Sequence, residues 1–192
     1  MAHTFISKTK AIGLGFIAAL AVFAPLNATD SGLRFGGGLS VVNPIGGLAD
    51  VSKLGFGLSA FGEMDLGSGT SLRGRLEYAS FSKKEWHWTL KSSANSFVLM
   101  ADWIFNFNTQ DEGLYAFAGG GFLNNTVKVE FLGVSDTASE FVFGLSGGGG
   151  FNFTRNFGVE VIYTRAFGKT SSTGEIAGTG FDWVQASFKF RL

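Results

Sequence analysis

The chain has 192 residues, with 29 Gly, 22 Phe, 2 Pro and no Cys, and its 15 basic and 15 acidic residues give a formal net charge of zero. The absence of Cys excludes a disulfide framework and a thiolate metal site, and the balanced charge gives no sign of a basic surface for nucleic acid. The length suits one domain, and the Gly and Phe content favours aromatic strands over a helical bundle.

The first 28 residues have the organisation of a secretory signal. Lys8 and Lys10 precede an apolar stretch at 11–23, and Leu26-Asn27-Ala28 resembles a cleavage site that ends in Ala. An N-terminal membrane anchor is the weaker alternative, because the stretch is shorter than the ~20 residues that a spanning helix needs. We therefore expect a signal peptide at 1–28 and one β-barrel domain at 29–192.

The remaining sequence alternates between apolar and polar residues with a period of two, which is the pattern of strands with two different faces. In the last segment, Val184 and Ala186 share one face while Gln185, Lys189 and Arg191 share the other. Eight segments are predicted as strands, at 33–42, 54–66, 71–81, 95–107, 114–127, 141–153, 158–166 and 180–192. The faces of the fifth are left open, because apolar residues occupy both of its sides.

The connections between these segments alternate between long and short. An even number of strands with short turns at one rim and long loops at the other is typical of transmembrane barrels. We therefore predict an all-β fold, an eight-stranded antiparallel up-and-down transmembrane β-barrel with both termini on the short-turn, periplasmic side. The first and last strands pair, which removes the sheet edge.

Periodicity alone does not decide whether the apolar face points outward to lipid or inward around a ligand, as in a secreted lipocalin-like barrel. Charges of both signs on the polar face favour a polar interior, since buried charges need partners. The residues predicted to form this interior network are Glu63, Asp65, Arg73, Arg75, Glu77, Asp102, Glu160, Lys189 and Arg191. Aromatic residues near strand ends favour a membrane girdle, namely Trp86, Trp88, Trp103, Phe107 and Trp183.

Three stretches resemble the OmpA/OmpX-type superfamily of small eight-stranded outer-membrane barrels. They are LYAFAGGGF at 114–122, LSGGGGFNFTRNFGVEVIY at 145–163 and the C-terminal ASFKFRL. The resemblance implies a location in the outer membrane of a Gram-negative bacterium and a C-terminal signal that the barrel-assembly machinery reads. The residues similar to that signal are Gln185, Ser187, Phe188, Phe190 and Leu192.

The sequence predicts no catalytic, cofactor or metal site. His87 is the sole His beyond the signal region, and no Ser stands with it in a motif like those of the eight-stranded lipid A deacylases and palmitoyltransferases. The Gly tracts at 119–121 and 147–150 lack the Lys-Ser/Thr ending of a phosphate loop. We therefore predict that the protein is not an enzyme and has no cofactor.

The predicted role is structural, or one of surface interaction through the long loops. A narrow channel for small solutes is the alternative, and a lipid-modifying enzyme is a third. The expected partners are outer-membrane lipid, lipopolysaccharide, the barrel-assembly machinery and a host or surface ligand. Lys83, Lys84, Glu85 and Lys91 form a charged run that is either a solvated face or a site for anionic lipopolysaccharide headgroups.

Overall fold

The computed structural model describes residues 32–87, 90–108, 112–131, 134–168 and 180–192, so the predicted signal peptide lies outside the described residues. Eight antiparallel strands form a closed barrel in which each strand pairs with its neighbours in sequence and β1 pairs with β8. The strands are β1 (Leu33–Ile45), β2 (Ser52–Gly67), β3 (Thr70–His87), β4 (Leu90–Asn106), β5 (Gly113–Phe131), β6 (Val134–Asn152), β7 (Phe157–Phe167) and β8 (Phe181–Arg191). The predicted fold class is confirmed.

Large apolar side chains cover the outside of the barrel. Along β7, exposed and buried residues alternate strictly, so that Val159 and Val161 face outward while Glu160 and Ile162 face the interior. Other outward residues include Phe56, Phe105 and Phe188, which are 69%, 49% and 48% exposed. A soluble protein rarely exposes a continuous apolar surface of this kind, whereas a barrel in lipid requires one. The barrel therefore has the outward apolar face and not the lipocalin-like arrangement.

Short turns join the strands at one rim. The β2–β3 turn has three successive residues with positive φ, Gly67, Ser68 and Gly69, at 80°, 53° and 77°. This left-handed backbone favours Gly, and the turn twist matches the twist of the paired strands. Asp65 accepts a hydrogen bond from the Gly67 amide at 2.8 Å and so stabilises the turn.

At the other rim, the strands are longer than predicted. The structure continues β3 to His87, begins β4 at Leu90, continues β5 to Phe131 and begins β6 at Val134. The connections predicted between these strands, at 82–94 and 128–140, are therefore largely strand. The prediction was wrong in β3 and β4 because residues 82–87 and 90–93 have no apolar alternation, and in β5 because the alternation continues through Val129 and Phe131, beyond the predicted end of the strand.

These extensions form a four-stranded projecting sheet, which we define as residues 83–87, 90–93, 128–131 and 134–137. β2 begins at Ser52, opposite Lys83, and β7 ends at Phe167, opposite Phe143. Within the described ranges, the sheet therefore extends beyond the neighbouring strands on both sides.

The predicted loop at 43–53 contains a short helix, α1 (Gly47–Val51). Its Leu48 is 1% exposed and packs with apolar side chains inside the barrel. Among the residues that the structure describes, no helix is long and apolar enough to cross a membrane.

Candidate functional site

The lumen holds an ionic layer, defined here as Arg73, Arg75, Glu77, Asp102 and Glu160. Each of these side chains is at most 4% exposed. The strand register brings Arg73 on β3 directly opposite Asp102 on β4. Since two arginines and three carboxylates share this layer, each charge has a partner of opposite sign nearby, as a buried charge requires.

Asp102 is the centre of the layer. Its Oδ2 accepts hydrogen bonds from Nε of both Arg73 and Arg75 at 3.0 Å, and its Oδ1 accepts one from the Ser146 hydroxyl at 3.0 Å. Gly119 lies opposite Asp102 on β5, and a Cβ at that position would collide with the carboxylate. A glycine here therefore leaves space for the buried carboxylate.

Glu160 connects the ionic layer to Tyr115 and Lys189. Its Oε2 accepts hydrogen bonds from Nη1 of Arg73 and from the Tyr115 hydroxyl, both at 2.6 Å. Lys189 Nζ lies 3.7 Å from the same oxygen and 4.0 Å from the centre of the Tyr115 ring. A Cβ on Gly150 would collide with the Tyr115 hydroxyl, so this glycine makes room for the ring.

Trp183 lies inside the barrel, which corrects its assignment to the aromatic girdle. Its exposed fraction is 0%, and its indole Nε1 donates to Gln185 Oε1 at 3.0 Å. Gln185 Nε2 in turn donates to Glu77 Oε2 at 3.1 Å. Trp183 shares the inward face of β8 with Gln185, where its ring packs edge-on against Phe81 and its N–H finds a partner.

A second charged group lies near the short-turn rim. Both carboxylate oxygens of Glu63 accept hydrogen bonds from Nη2 of Arg191 at 3.2 Å, and Arg34 Nη2 lies 3.7 Å from Oε1. Asp65, predicted for the interior, is instead exposed in the β2–β3 turn. The prediction was wrong because this part of β2 lies at the rim, where the polar face meets water.

Above the ionic layer, towards the projecting sheet, apolar side chains fill the lumen. This apolar plug comprises Val42, Leu48, Ala79, Phe81, Ala94, Val98, Met100, Leu123, Val142, Ala166 and Trp183. A smaller cluster of Ile104, Tyr115, Phe117 and Ile162 lies on the short-turn side. The expectation of a polar interior is therefore incomplete, because the ionic layer lies between two apolar clusters.

Three side chains hold α1 over the apolar plug. Ser52 donates to the Leu48 carbonyl at 2.8 Å, Ser92 to the Val51 carbonyl at 2.5 Å, and Lys84 to the Ala49 carbonyl at 2.8 Å. Lys84 thus turns inward, which separates it from the charged run in which the sequence places it. A β-bulge between Ser80 and Lys84 changes which residues face outward on this part of β3.

Of the remaining girdle residues, Trp103 and Phe107 face outward and are 45% and 70% exposed near the short-turn rim. Trp86 lies in β3, but its side chain and that of His87 are outside the described set, and Trp88 lies outside the described residues altogether. At the C-terminus, Phe188, Phe190 and Leu192 face outward, while Gln185 and Ser187 face the lumen. The Leu192 amide also donates to the Phe35 carbonyl at 2.8 Å.

A lysine cluster, defined as Lys83, Lys91 and Lys128, lies on the projecting sheet, where Lys91 and Lys128 face outward and Lys83 is exposed beside them at the β3 bulge. With Ser92, Ser93 and Glu130, it lines a shallow depression. Lys91 Nζ lies 3.0 Å from Glu85 Oε1. The hydrogen bond from Lys91, with its charge, lowers the pKa of Glu85, and Lys53 and Lys83 add to this effect. In the described part of the chain, no group of three or more His, Asp or Glu residues is placed to hold a metal ion.

The comparisons with known proteins agree with this architecture. The family model described as outer membrane protein beta-barrel domain matches residues 12–190. The structure is similar to that of Ail, the attachment invasion locus protein of Yersinia pestis, at a TM-score of 0.60 and 14% identity over 85% of this chain and 100% of Ail. A structure of Ail in complex with the heparin analogue sucrose octasulfate aligns at a TM-score of 0.58 and 13% identity, over 83% of this chain and 97% of that one.

Two other solved barrels are also similar. Neisserial surface protein A aligns at a TM-score of 0.55 and 16% identity, over 84% of this chain and 98% of that one. The N-terminal barrel of Pseudomonas aeruginosa OprF aligns at 0.50 and 13% identity, over 82% and 97%. A search of curated proteins gave no significant match. The predicted resemblance to small eight-stranded outer-membrane barrels is confirmed, and because the family model spans most of its length, the chain belongs to the outer membrane protein beta-barrel domain family.

Proposed function

We propose that this outer-membrane barrel acts at the cell surface through its projecting sheet and does not transport solutes through its lumen. The observation that carries this proposal is the filled lumen. An eight-stranded barrel has an interior just wide enough for side chains to fill, and here both charged and apolar side chains occupy it. A solute pathway would need a continuous polar wall in contact with water.

The exposures of residues at two levels support a closed lumen. In the ionic layer, Arg73, Glu77 and Asp102 are 1%, 1% and 0% exposed. In the apolar plug, Val98 and Leu123 are both 0% exposed. Because these residues come from β3, β4 and β5, a water-filled path along this side of the lumen would have to displace packed side chains at both levels.

The projecting sheet supports a role in surface interaction. Phe131 and Val134 pair at its tip, at the end of β5 and β6 far from the short-turn rim, and are 53% and 74% exposed. Among the similar barrels, Ail binds the heparin analogue sucrose octasulfate and Neisserial surface protein A is a surface protein by name. These similarities support, for this chain, a role in which the barrel is a scaffold and the projecting sheet contacts the ligand.

We further propose an orientation of the barrel in the outer membrane and its partners there. The termini lie on the periplasmic side, the projecting sheet lies outside the cell, and the surrounding outer leaflet consists of lipopolysaccharide. The barrel-assembly machinery reads the alternating residues from Gln185 to Leu192. The protein is not an enzyme in this proposal, since His87 is the one histidine beyond the signal region and the ionic layer is closed to substrate.

Surface labelling of intact cells tests this proposal. An epitope inserted after Phe131, at the tip of the projecting sheet, is expected to bind antibody on whole cells. The matched control carries the same epitope after Ser68 in the β2–β3 turn and is expected to bind antibody only after the outer membrane is permeabilised. The reverse pattern, or equal labelling of both, would overturn the proposal. A shift in gel mobility between unboiled and boiled samples verifies that each variant is a folded barrel.

A further inference from the structure

We propose that the lysine cluster of Lys83, Lys91 and Lys128 binds the phosphate groups of lipopolysaccharide in the surrounding outer leaflet. This inference rests on the proposed function, because it requires the projecting sheet to lie on the outer side of the membrane. The proposed function names lipopolysaccharide as a partner, and this inference identifies the lysines that bind it and the phosphates that they bind.

The register of the outer face places the cluster just above the lipid-facing surface. Tyr78, Phe97 and Phe141 lie in one row across the sheet, with Asn124 between the last two. On β4, the outward positions after Phe97 are Asn95, Ser93 and Lys91. These are polar residues, so Phe97 is the last outward apolar residue on β4, whereas on β2 outward apolar residues continue to Phe56 and Leu54.

The distance from this row suits a headgroup. Ser93 and Lys91 follow Phe97 by four and six residues along β4, and Lys128 lies directly opposite Ser93 on β5. At the usual rise and tilt of barrel strands, this is about 10–15 Å above Phe97, the last outward apolar residue of β4. A lysine side chain can bend back several ångströms towards the membrane. The ammonium groups therefore lie at the level of the phosphorylated sugars and not of the acyl chains.

The charges near the cluster leave an excess of positive charge. Lys53 acts on Glu85 together with Lys83 and Lys91, and Glu130 lies opposite Lys91 on β5. Four lysines and two glutamates thus share this part of the outer face. The ion pair between Lys91 and Glu85 is exposed, with side chains 41% and 60% accessible, so it neutralises the site only weakly. Lys128 and Lys83 have no ion pair with the described part of the chain.

The orientation of the cluster favours a lipid over a soluble polyanion. Lys91 and Lys128 point to the same side as Phe97 and Phe122, which is the side that meets the membrane. Lys84, which points to the opposite side, is occupied by the Ala49 carbonyl. A headgroup in the adjoining leaflet can reach the cluster without leaving the membrane, and basic residues near an anionic surface add to binding in proportion to their number.

The test titrates the detergent-solubilised barrel with three probes, namely deep-rough lipopolysaccharide, the same lipid after chemical removal of its phosphates, and soluble sucrose octasulfate. Each substitution Lys83→Gln, Lys91→Gln and Lys128→Gln is expected to weaken binding of the phosphorylated lipid about fivefold, and Glu130→Gln to tighten it by about two- to fivefold. Arg155→Gln, an equal loss of charge in the exposed turn at the short-turn rim, is the matched control and leaves affinity unchanged. Dephosphorylation is expected to weaken binding at least tenfold.

Two results would overturn the inference. One is a triple variant, with all three lysines changed to Gln, that binds phosphorylated lipid within twofold of the unmodified barrel. The other is sucrose octasulfate binding as tightly as the lipid, which would indicate a site for soluble polyanions. Every variant is expected to remain heat-modifiable, because none of the substituted side chains belongs to the ionic layer or the apolar plug. If the inference fails while the epitope on the projecting sheet still labels whole cells, the proposed function stands without this site.

Discussion

Arg73 and Asp102 face each other across the β3–β4 pair inside the lumen, and Arg73 Nε lies 3.0 Å from Asp102 Oδ2. Both side chains are nearly inaccessible, at 1% and 0% exposure. The same carboxylate also binds Arg75, so one acidic residue holds two buried arginines in place. Because Asp102 is inaccessible to water, water cannot replace its carboxylate as the partner of the two arginines.

Replacement of this carboxylate is expected to destabilise the barrel strongly. Asp102→Ala leaves two arginines without their shared partner and is expected to lower the free energy of unfolding by about 3–5 kcal/mol. The matched control is Asp65→Ala, which removes one exposed hydrogen bond in a turn and is expected to cost about 1 kcal/mol or less. Urea-induced unfolding, followed by the gel-mobility shift, measures both. Equal effects of the two substitutions would contradict the central role of Asp102.

The Tyr115 hydroxyl is expected to contribute to the same network. Tyr115→Phe keeps the buried ring but removes a donor to Glu160, and we expect a loss of about 1–3 kcal/mol. Tyr163→Phe is the control, since its hydroxyl bonds to Asp182 at 3.3 Å on the exposed surface. That change is expected to stay within about 0.5 kcal/mol. If both variants unfold at the same urea concentration, the bond to Glu160 is not stabilising.

A methyl group at position 119 is expected to disturb the lumen. In Gly119→Ala, the added Cβ meets the Asp102 carboxylate and the Ala101 carbonyl, and overpacking of this kind costs about 1–3 kcal/mol. Gly74→Ala provides the control, because nothing lies within 4 Å of a Cβ there. The urea midpoint and the fraction of heat-modifiable protein after refolding measure both variants. An unchanged midpoint for Gly119→Ala would show that Asp102 moves aside without cost.

Lys84 is expected to hold α1 in the mouth of the barrel. Lys84→Met removes the hydrogen bond to the Ala49 carbonyl and is expected to increase the population with α1 open by about tenfold. Lys83→Met removes the same charge from the adjacent exposed side chain and is expected to have no effect on α1, because the bond to the Ala49 carbonyl comes from Lys84. Hydrogen–deuterium exchange of the peptide spanning 46–52 measures the difference. Equal protection of this peptide in both variants would contradict the role of Lys84.

The strand alternation made most of the fold predictable. In β8, Phe188 and Lys189 belong to opposite faces by sequence alone, and the structure places them on opposite sides of the barrel wall. The fifth strand was not predictable in this way, since Tyr115 and Phe117 are apolar yet face inward. These rings face inward because of residues that are distant in sequence: the Tyr115 hydroxyl binds Glu160, and Arg73 lies over the Phe117 ring. The local sequence pattern does not reveal such contacts.

The sequence predicted most of the charged residues in the interior, but not the polar side chains that bind them. Ser146 and Gln185 bind the buried charges, and although the alternation puts Gln185 on the same face as Lys189 and Arg191, it does not identify Glu77 as its partner. The one signal for this packing was the Gly content, because Gly119 and Gly150 stand where the partners need space. The length of the projecting sheet was missed for a different reason. Its β3 and β4 segments have no apolar alternation, whereas in β5 Val129 and Phe131 alternate with Lys128 and Glu130, a strand signal that the prediction overlooked.

Conductance of the purified, heat-modifiable barrel in planar bilayers tests whether the lumen is closed. We expect no stable current steps above the protein-free background, because the ionic layer and the apolar plug fill the interior. Reproducible ohmic steps from protein that shows the gel-mobility shift, and their loss when that protein is boiled first, would contradict a closed lumen and identify the barrel as a channel.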